Sequence, residues 1–284
     1  MIDTLFTPAD FAGLSGRDLS RTTCVVFDVL RATSSMLTAL ANGAEAIIPV
    51  ATIPEALAVK KARPEVMLAG ERDGLRILGN LTEGVDFDLG NSPREFTAER
   101  VQGQTIVWTT TNGTRALRAC VQAQTVLVGA FLNVQAVTDW LRQQKSSEIV
   151  LVCSGTFEET ATEDMLVAGA LCDRMGQAGH EWGDASFVAW KAFRQSLTDG
   201  QGRGPVLPKS APAVSAREVS EALCWDLARS SKNARRLLAR PALAADVSFC
   251  VDLDKLPWAA CLMADGAIRT CPSPSIQQPS HTRP

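Results

Sequence analysis

The chain has 284 residues, 46% of them hydrophobic and 21% charged, with a formal net charge of −3 and a pI near 5.5. This describes an ordinary globular chain, long enough for one large core or two modest lobes, and excludes a disordered one. The acidic balance argues against a nucleic-acid partner. No apolar run approaches the ~20 residues of a membrane span, and Met1 to Phe11 lack the basic-then-apolar pattern of a secretory leader. The cytoplasm is the expected compartment, and a homo-oligomer stays open.

Eight cysteines occur without any Cys-x-x-Cys spacing. In a chain of this size they read as free, buried small hydrophobes rather than a disulfide framework or zinc knuckle. The two histidines, His180 and His281, are too few for a multi-His metal site. A metal would need oxygen ligands, which points to a hard ion such as Mg²⁺.

In chain order, Cys24 to Phe27 reads as a strand running into Asp28 and Arg31. A helical stripe of Ala32, Met36, Leu37, Leu40 and Ala41 follows, with Gly43 placed to end it. Ala46 to Val50 reads as a buried strand, and Thr52-x-x-Glu55 as a capping box opening a helix through Lys61. Val66 to Ala69 is a short strand leading into Gly70-Glu71-Arg72, and residues 73 to 100 read mostly as loop. Strands near 105–109, 125–129 and 148–153 alternate with helices near 114–122, 133–143 and 162–176. Asp199 to Pro212 reads as an exposed connection, and Ser215-x-x-Glu218 caps a helix through about Arg229. Lys232, Arg235, Arg236 and Arg240 read as a solvated helix face. Val247–Val251, Ala259–Met263 and Ala267–Thr270 read as strands, the last two joined as a hairpin by Asp265-Gly266. The tail from Pro272 is expected to be disordered. The alternation predicts a three-layer α/β/α fold with a largely parallel or mixed sheet and a C-terminal β-hairpin. It forms one domain over 1–271, or two lobes divided as 1–145 and 146–271.

Three strand-to-turn junctions carry the chemistry: Phe27 into Asp28, Trp108 into Thr109-Thr110-Thr111-Asn112-Gly113-Thr114, and Val152 into Cys153-Ser154-Gly155. Polar residues at strand carboxyl ends converge on a ligand crevice in α/β proteins, and helix amino-termini there suit phosphate or carboxylate. There is no P-loop, and Gly200-x-Gly-x-Gly204 lacks a preceding strand. Cys153 has Glu159 where a cysteine phosphatase needs Arg, and Asp28 has Leu30 where an aspartyl-phosphate phosphatase needs a second Asp. What stays is a set of acids (Asp28, Glu71, Glu163, Asp164) and arginines (Arg31, Arg72, Arg115) at predicted strand ends. Glu163 and Asp164, taken alone, read as a helix start with surface ion pairs. Asp28, directly ending a Val-Val-Phe strand, is expected to be partly buried and to need a partner or a metal.

Asp28-Val-Leu-Arg-Ala-Thr-Ser, Gly70-Glu-Arg, Asp88-Leu-Gly-Asn-Ser-Pro93, Thr109-Thr-Thr-Asn-Gly-Thr-Arg115, the Cys153-x-Gly-Thr turn and Glu163-Asp164 occur in order over roughly residues 20 to 270. Together they resemble the 2-phosphosulfolactate phosphatase family. The resemblance implies an α/β, Mg²⁺-dependent phosphatase making sulfolactate and phosphate, a step towards coenzyme M. Its partner would be a small anionic phosphate ester. Asp28, Arg31 and Asp164 would be catalytic, and Asp28, Glu71 and Asp164 would hold the metal. Arg72, Asn91, Ser92, Thr110, Thr111, Asn112, Gly113 and Thr114 would bind substrate. Asp73-Gly74 stands where the family usually has Gly-Gly, and Leu78 to Val85 reads as an extension. A phosphatase for another 2-phospho-hydroxyacid and a non-catalytic anion-binding protein are the alternatives.

Overall fold

A computed structural model describes residues 1–82, 84–176, 180–197 and 215–272. The strands are β1 (Ile2–Leu5), β2 (Thr22–Phe27), β3 (Ala46–Pro49), β4 (Met67–Arg72), β5 (Leu75–Arg76), β6 (Thr105–Thr109), β7 (Thr125–Gly129), β8 (Glu148–Cys153), β9 (Ala260–Leu262) and β10 (Ile268–Thr270). The α-helices are α1 (Pro8–Ala12), α2 (Ala32–Ala41), α3 (Ile53–Ala62), α4 (Ala98–Val101), α5 (Gly113–Ala119) and α6 (Val134–Gln143), followed by α7 (Thr162–Met175), α8 (Asp184–Ser196), α9 (Ala216–Ser230), α10 (Lys232–Leu238) and α11 (Ala244–Cys250).

One mixed sheet runs in the order β1-β8-β2-β7-β9-β10-β3-β6-β4-β5. Strands from both sides of residue 145 share it, since β8 lies between β1 and β2. β1, β8, β2 and β7 form one parallel block, and β3, β6 and β4 another. The hairpin β9–β10 joins them through three antiparallel steps, so the blocks point in opposite senses along the sheet. Each step carries a twist of roughly 20–25°, so the five steps from β2 to β6 turn one block by more than ~100° relative to the other. Twist and curl together let the carboxyl ends of β2, β8, β4 and β6 meet at one cleft.

Successive strand residues face opposite sides, and both sides are covered. Val25, Phe27, Leu151 and Cys153 pack into a core with α6 to α11. Cys24, Val26, Val150 and Val152 pack into another with α1, α2 and α5. Around α3, Ala56, Leu68, Ile77, Phe87 and Val107 form a third, smaller cluster. This is the expected three-layer architecture. Strands buried on both faces explain the near-continuous Val/Ile/Leu runs of the parallel blocks.

The local signals act as their chemistry predicts at several ends. Thr52 caps α3 by accepting from the Glu55 N–H, and Ser215 with Glu218 forms a reciprocal box at α9. Gly43, at φ +89, follows α2. Residues 244–250 form a helix, not the expected strand. Val247, Cys250 and Val251 are spaced i, i+3, i+4 and buried in the α6–α11 core, a pattern that a five-residue apolar run does not distinguish from a strand. β1 and α8 are additional elements that the sequence reading did not place. The loop over 73–100 contains β5, three short helical turns and little else. The Asp199–Pro212 connection and the tail beyond Pro272 lie outside the described residues.

Candidate active site

The cleft is built on Asp28. Its carboxylate follows β2 and caps the turn into α2, with Oδ1 accepting the Ala32 N–H at 3.1 Å. Thr33 Oγ1 accepts the Asp28 N–H at 3.0 Å, locking the backbone of the same turn. The Leu30–Arg31 peptide bond in this turn is cis. Oδ2 accepts no hydrogen bond from a described residue and points at α5, where a Cβ on Gly113 would lie 2.6 Å from it. Glycine at 113 therefore allows the hydroxyl-rich turn after β6 to close onto Asp28. Burial pushes the Asp28 carboxyl up from its ordinary 3.8 to about 7, with Glu71 and Glu163 adding in the same direction against the Ala32 N–H and Arg31.

Glu71, at the end of β4, lies across the cleft. Its Oε1 accepts from the Thr111 N–H at 2.9 Å and hydroxyl at 3.0 Å, and its Oε2 from the Gly74 N–H at 2.7 Å. Gly74 and Asp73 form the two-residue β4–β5 turn, both with positive φ (77° and 54°). Asp-Gly is a preferred pair for such a type I′ hairpin, so the departure from Gly-Gly preserves the turn.

Glu163 and Asp164 are 1% and 2% exposed and make no ion pair with a described residue. Asp164 accepts the Val29 N–H at 2.8 Å and the Gly155 N–H at 3.2 Å, tying the turn after β2 to the turn after β8. Glu163 accepts from the Ser231 hydroxyl and the Asn233 amide, both at 2.7 Å, and so docks the start of α10. Burial raises both carboxyls, and the charge of Asp28 raises Asp164 further. Cys153 is fully buried, and burial followed by the charge of Asp164 pushes its thiol up, the opposite of an activated nucleophile.

The basic side is supplied unevenly. Arg31, 4% exposed, donates to Asp246 Oδ2 at 2.9 Å and to the Gly74 carbonyl at 2.9 Å, with its remaining N–H donors at the cleft wall. Asp246 is buried and also accepts from Ser92 Oγ and Arg94 Nε. Arg72 turns along β6, donating to the Glu71 carbonyl and Thr109 Oγ1. Arg236 and Arg240 line the cleft, whereas Lys232 pairs with Glu159 and Arg235 donates to the Arg229 carbonyl. The run read as a solvated helix face is thus split. Arg236, on α10, and Arg240, two residues past its end, both reach the cleft.

Asp28, Arg31, Glu71, Asn91, Thr111 and Asn112 share the cleft wall, together with Gly74, Gly155 and Asn233. Thr110 and Thr114 lie behind it, bonded to each other's backbone and side chains, and Ser92 is committed to Asp246. The cleft encloses about 630 Å³ of empty space, part of it open to solvent. Asp246, Asn233, Arg236 and Arg240 are cleft or supporting residues that sequence reasoning missed.

The donors present suit a hard cation. Among the described residues none donates to Asp28 Oδ2, which faces the cleft, and Asn91 Oδ1 is buried without a hydrogen-bond partner. Among the described residues no three His, Cys, Asp or Glu side chains converge as a metal cage. Mg²⁺ typically uses one or two carboxylates and completes its shell with water and substrate phosphate. That economical arrangement is the one these donors fit.

The model of the 2-phosphosulpholactate phosphatase family matches residues 12–202. A Synechococcus sp. protein is 36% identical over 234 residues, covering 82% of this chain and 85% of its own. One from Caldanaerobacter subterraneus subsp. tengcongensis is 38% identical over 201 residues, 69% of this chain and 80% of its own. One from Thermotoga petrophila is 43% identical over 171 residues, 60% and 69%. All three bear the name probable 2-phosphosulfolactate phosphatase. With its acid-lined cleft at the ends of four strands and matches of this extent, the chain belongs to the 2-phosphosulfolactate phosphatase family.

Proposed function

We propose that this chain hydrolyses 2-phosphosulfolactate to sulfolactate and phosphate in the cleft above Asp28, using Mg²⁺. The observation that carries the reading is a half-buried carboxylate with one oxygen that accepts no hydrogen bond from a described residue, facing a cleft that also presents three arginines. Asp28 and Glu71 would hold the metal with Asn91 Oδ1, in a cluster where burial and mutual repulsion already favour a cation. Bound there, Mg²⁺ would withdraw charge from the phosphoryl oxygens.

The rest is the work of the chain's own groups. The Arg31 guanidinium, held by Asp246 and the Gly74 carbonyl, presents its free donors to phosphoryl oxygens. Thr111 and Asn112 orient the ester from the opposite wall, with Asn112 fixed by its bond to the Gly155 carbonyl at 3.0 Å. Asp164 is a positioning residue, since it lies behind the cleft wall and its oxygens hold the loops that carry Asp28 and Gly155. Hydrolysis breaks the bond between phosphorus and the ester oxygen, which leaves as the sulfolactate hydroxyl, and water supplies the new oxygen on phosphate. No described helix is long and apolar enough to cross a membrane, and a small, polyanionic substrate suits a cytoplasmic enzyme.

The test is phosphate release from 2-phosphosulfolactate by the purified chain, with Mg²⁺ and after chelation. Release that needs the metal and vanishes in Asp28→Ala is the expected result. Absence of turnover under both conditions, or undiminished turnover in the variant, refutes the assignment.

A further inference from the structure

Arg236 and Arg240 lie beyond the 12–202 segment matched by the family, and neither guanidinium makes an ion pair or hydrogen bond with any described residue. Both reach the same place. A Cβ built on Gly74 would sit 2.8 Å from Arg236 Nη2 and 3.7 Å from Arg240 Nη1. Two guanidiniums this close repel each other, and no described acidic side chain pairs with either. The third cleft arginine, Arg31, is already paired with Asp246.

The pair is not placed by chance flexibility of a surface helix. Glu163 holds Ser231 and Asn233 at the start of α10, and Leu237, between the two arginines in sequence, is buried in the α6–α11 core. The backbone that carries the arginines is therefore anchored to the same helix turn that supports Asp28. The Asp73-Gly74 turn, without a side chain at 74, leaves the space that the Arg236 guanidinium fills.

We infer that Arg236 and Arg240 grip the substrate's non-reacting anionic group and so make this chain selective for phosphate esters that carry a second fixed negative charge. The inference rests on the function proposed above. It assigns Arg31 to the phosphoryl group and this pair to the carboxylate or sulfonate at the other end. An anion with two or three oxygens can accept from both forks at once, which offsets their repulsion.

Kinetics and calorimetry with Arg236→Gln, Arg240→Gln and Arg236→Lys in the full chain test it. For 2-phosphosulfolactate, each glutamine variant should raise KM about tenfold to a hundredfold, the cost of one charged hydrogen-bonding partner, with kcat within about twofold. Titrated by calorimetry, sulfolactate should bind correspondingly more weakly, while inorganic phosphate should bind as to the unmodified chain. Arg236→Lys should recover part of the loss, because it restores charge without the fork. Lactate, which lacks the sulfonate, separates the two anions. If its binding weakens equally the carboxylate is held, and if only sulfolactate weakens the sulfonate is held. An unmodified chain without phosphatase activity would fail the proposed function itself. An active chain whose glutamine variants keep KM, or lose phosphate and sulfolactate binding alike, overturns the role given to the arginines. Circular dichroism confirms folding, and Arg240→Gln with Arg236→Lys carries the test if Arg236→Gln does not fold.

Discussion

Replacing Asp28 by Asn should stabilise the metal-free chain near neutral pH while abolishing phosphatase activity. The native carboxyl has its proton affinity raised from an ordinary 3.8 to about 7, chiefly because it is buried. In the unfolded chain it ionises near the ordinary value, so between about pH 4 and 7 the folded state holds a proton that the unfolded state has released. Stability must then fall as pH rises through that window, and it levels off above it. A displacement of this size corresponds to roughly 4 kcal/mol at about 1.4 kcal/mol for each tenfold change in proton affinity. Asn has the same shape and can keep accepting the Ala32 N–H, but it never pays for ionisation. Urea unfolding in EDTA should therefore give similar stabilities for both chains near pH 4. A gap of about 2–4 kcal/mol in favour of Asp28→Asn should open by pH 8. A gap that is constant with pH, or that grows toward acid, would refute the view that Asp28 is a partly buried acid awaiting a cation.

Two further substitutions separate supporting residues from reacting ones. Asp246→Asn leaves Arg31 buried without its counter-charge, and urea unfolding should show a loss of about 3–5 kcal/mol; a loss below about 1 kcal/mol would mean that Arg31 is balanced by something else. Cys153→Ala should leave kcat/KM for 2-phosphosulfolactate within about threefold, because a buried thiol pushed upward by burial is no nucleophile; complete inactivation of a folded variant would contradict that reading.

Much of the fold was legible because it was written locally. The apolar runs of β2, β6, β7 and β8, the Thr52 and Ser215 caps and the Asp265-Gly266 turn each state their structure within a few residues. β1 was illegible because Asp3 and Thr4 interrupt its apolar pattern, and only pairing with β8 makes it a strand. The segment 244–250 failed for the opposite reason, being too short for the two periods to differ. The reversal of the two parallel blocks could not be read at all. It depends on β9–β10 inserting between β7 and β3, a contact between residues more than a hundred positions apart.

The site divides along the same line, and the division explains its electrostatics. The acids come from strand ends and one helix start, where a short motif announces them: Asp28, Glu71 and Asp164 were all visible in sequence. Their protection was not. Asp164 looked like a helix-start acid because nothing near it in sequence shows that Val29 and Gly155 consume both its oxygens. The unpaired cations that face those acids come instead from α10 and the turn after it, where Arg236 and Arg240 look identical to Lys232 and Arg235 until the helix is docked by Glu163. The cleft therefore has an acidic floor, where burial makes Asp28 and Asp164 resist ionising, and a basic wall, where Arg236 and Arg240 find no counter-charge among the described residues. Neither half is electrostatically content without a ligand. A cation bridging the floor to a phosphoryl group, and a second anionic group on the same molecule reaching the wall, would relieve both at once. A simple phosphate monoester would relieve only the floor. Selectivity for a doubly anionic ester thus follows from charge placement alone, before any contact with the carbon skeleton is considered.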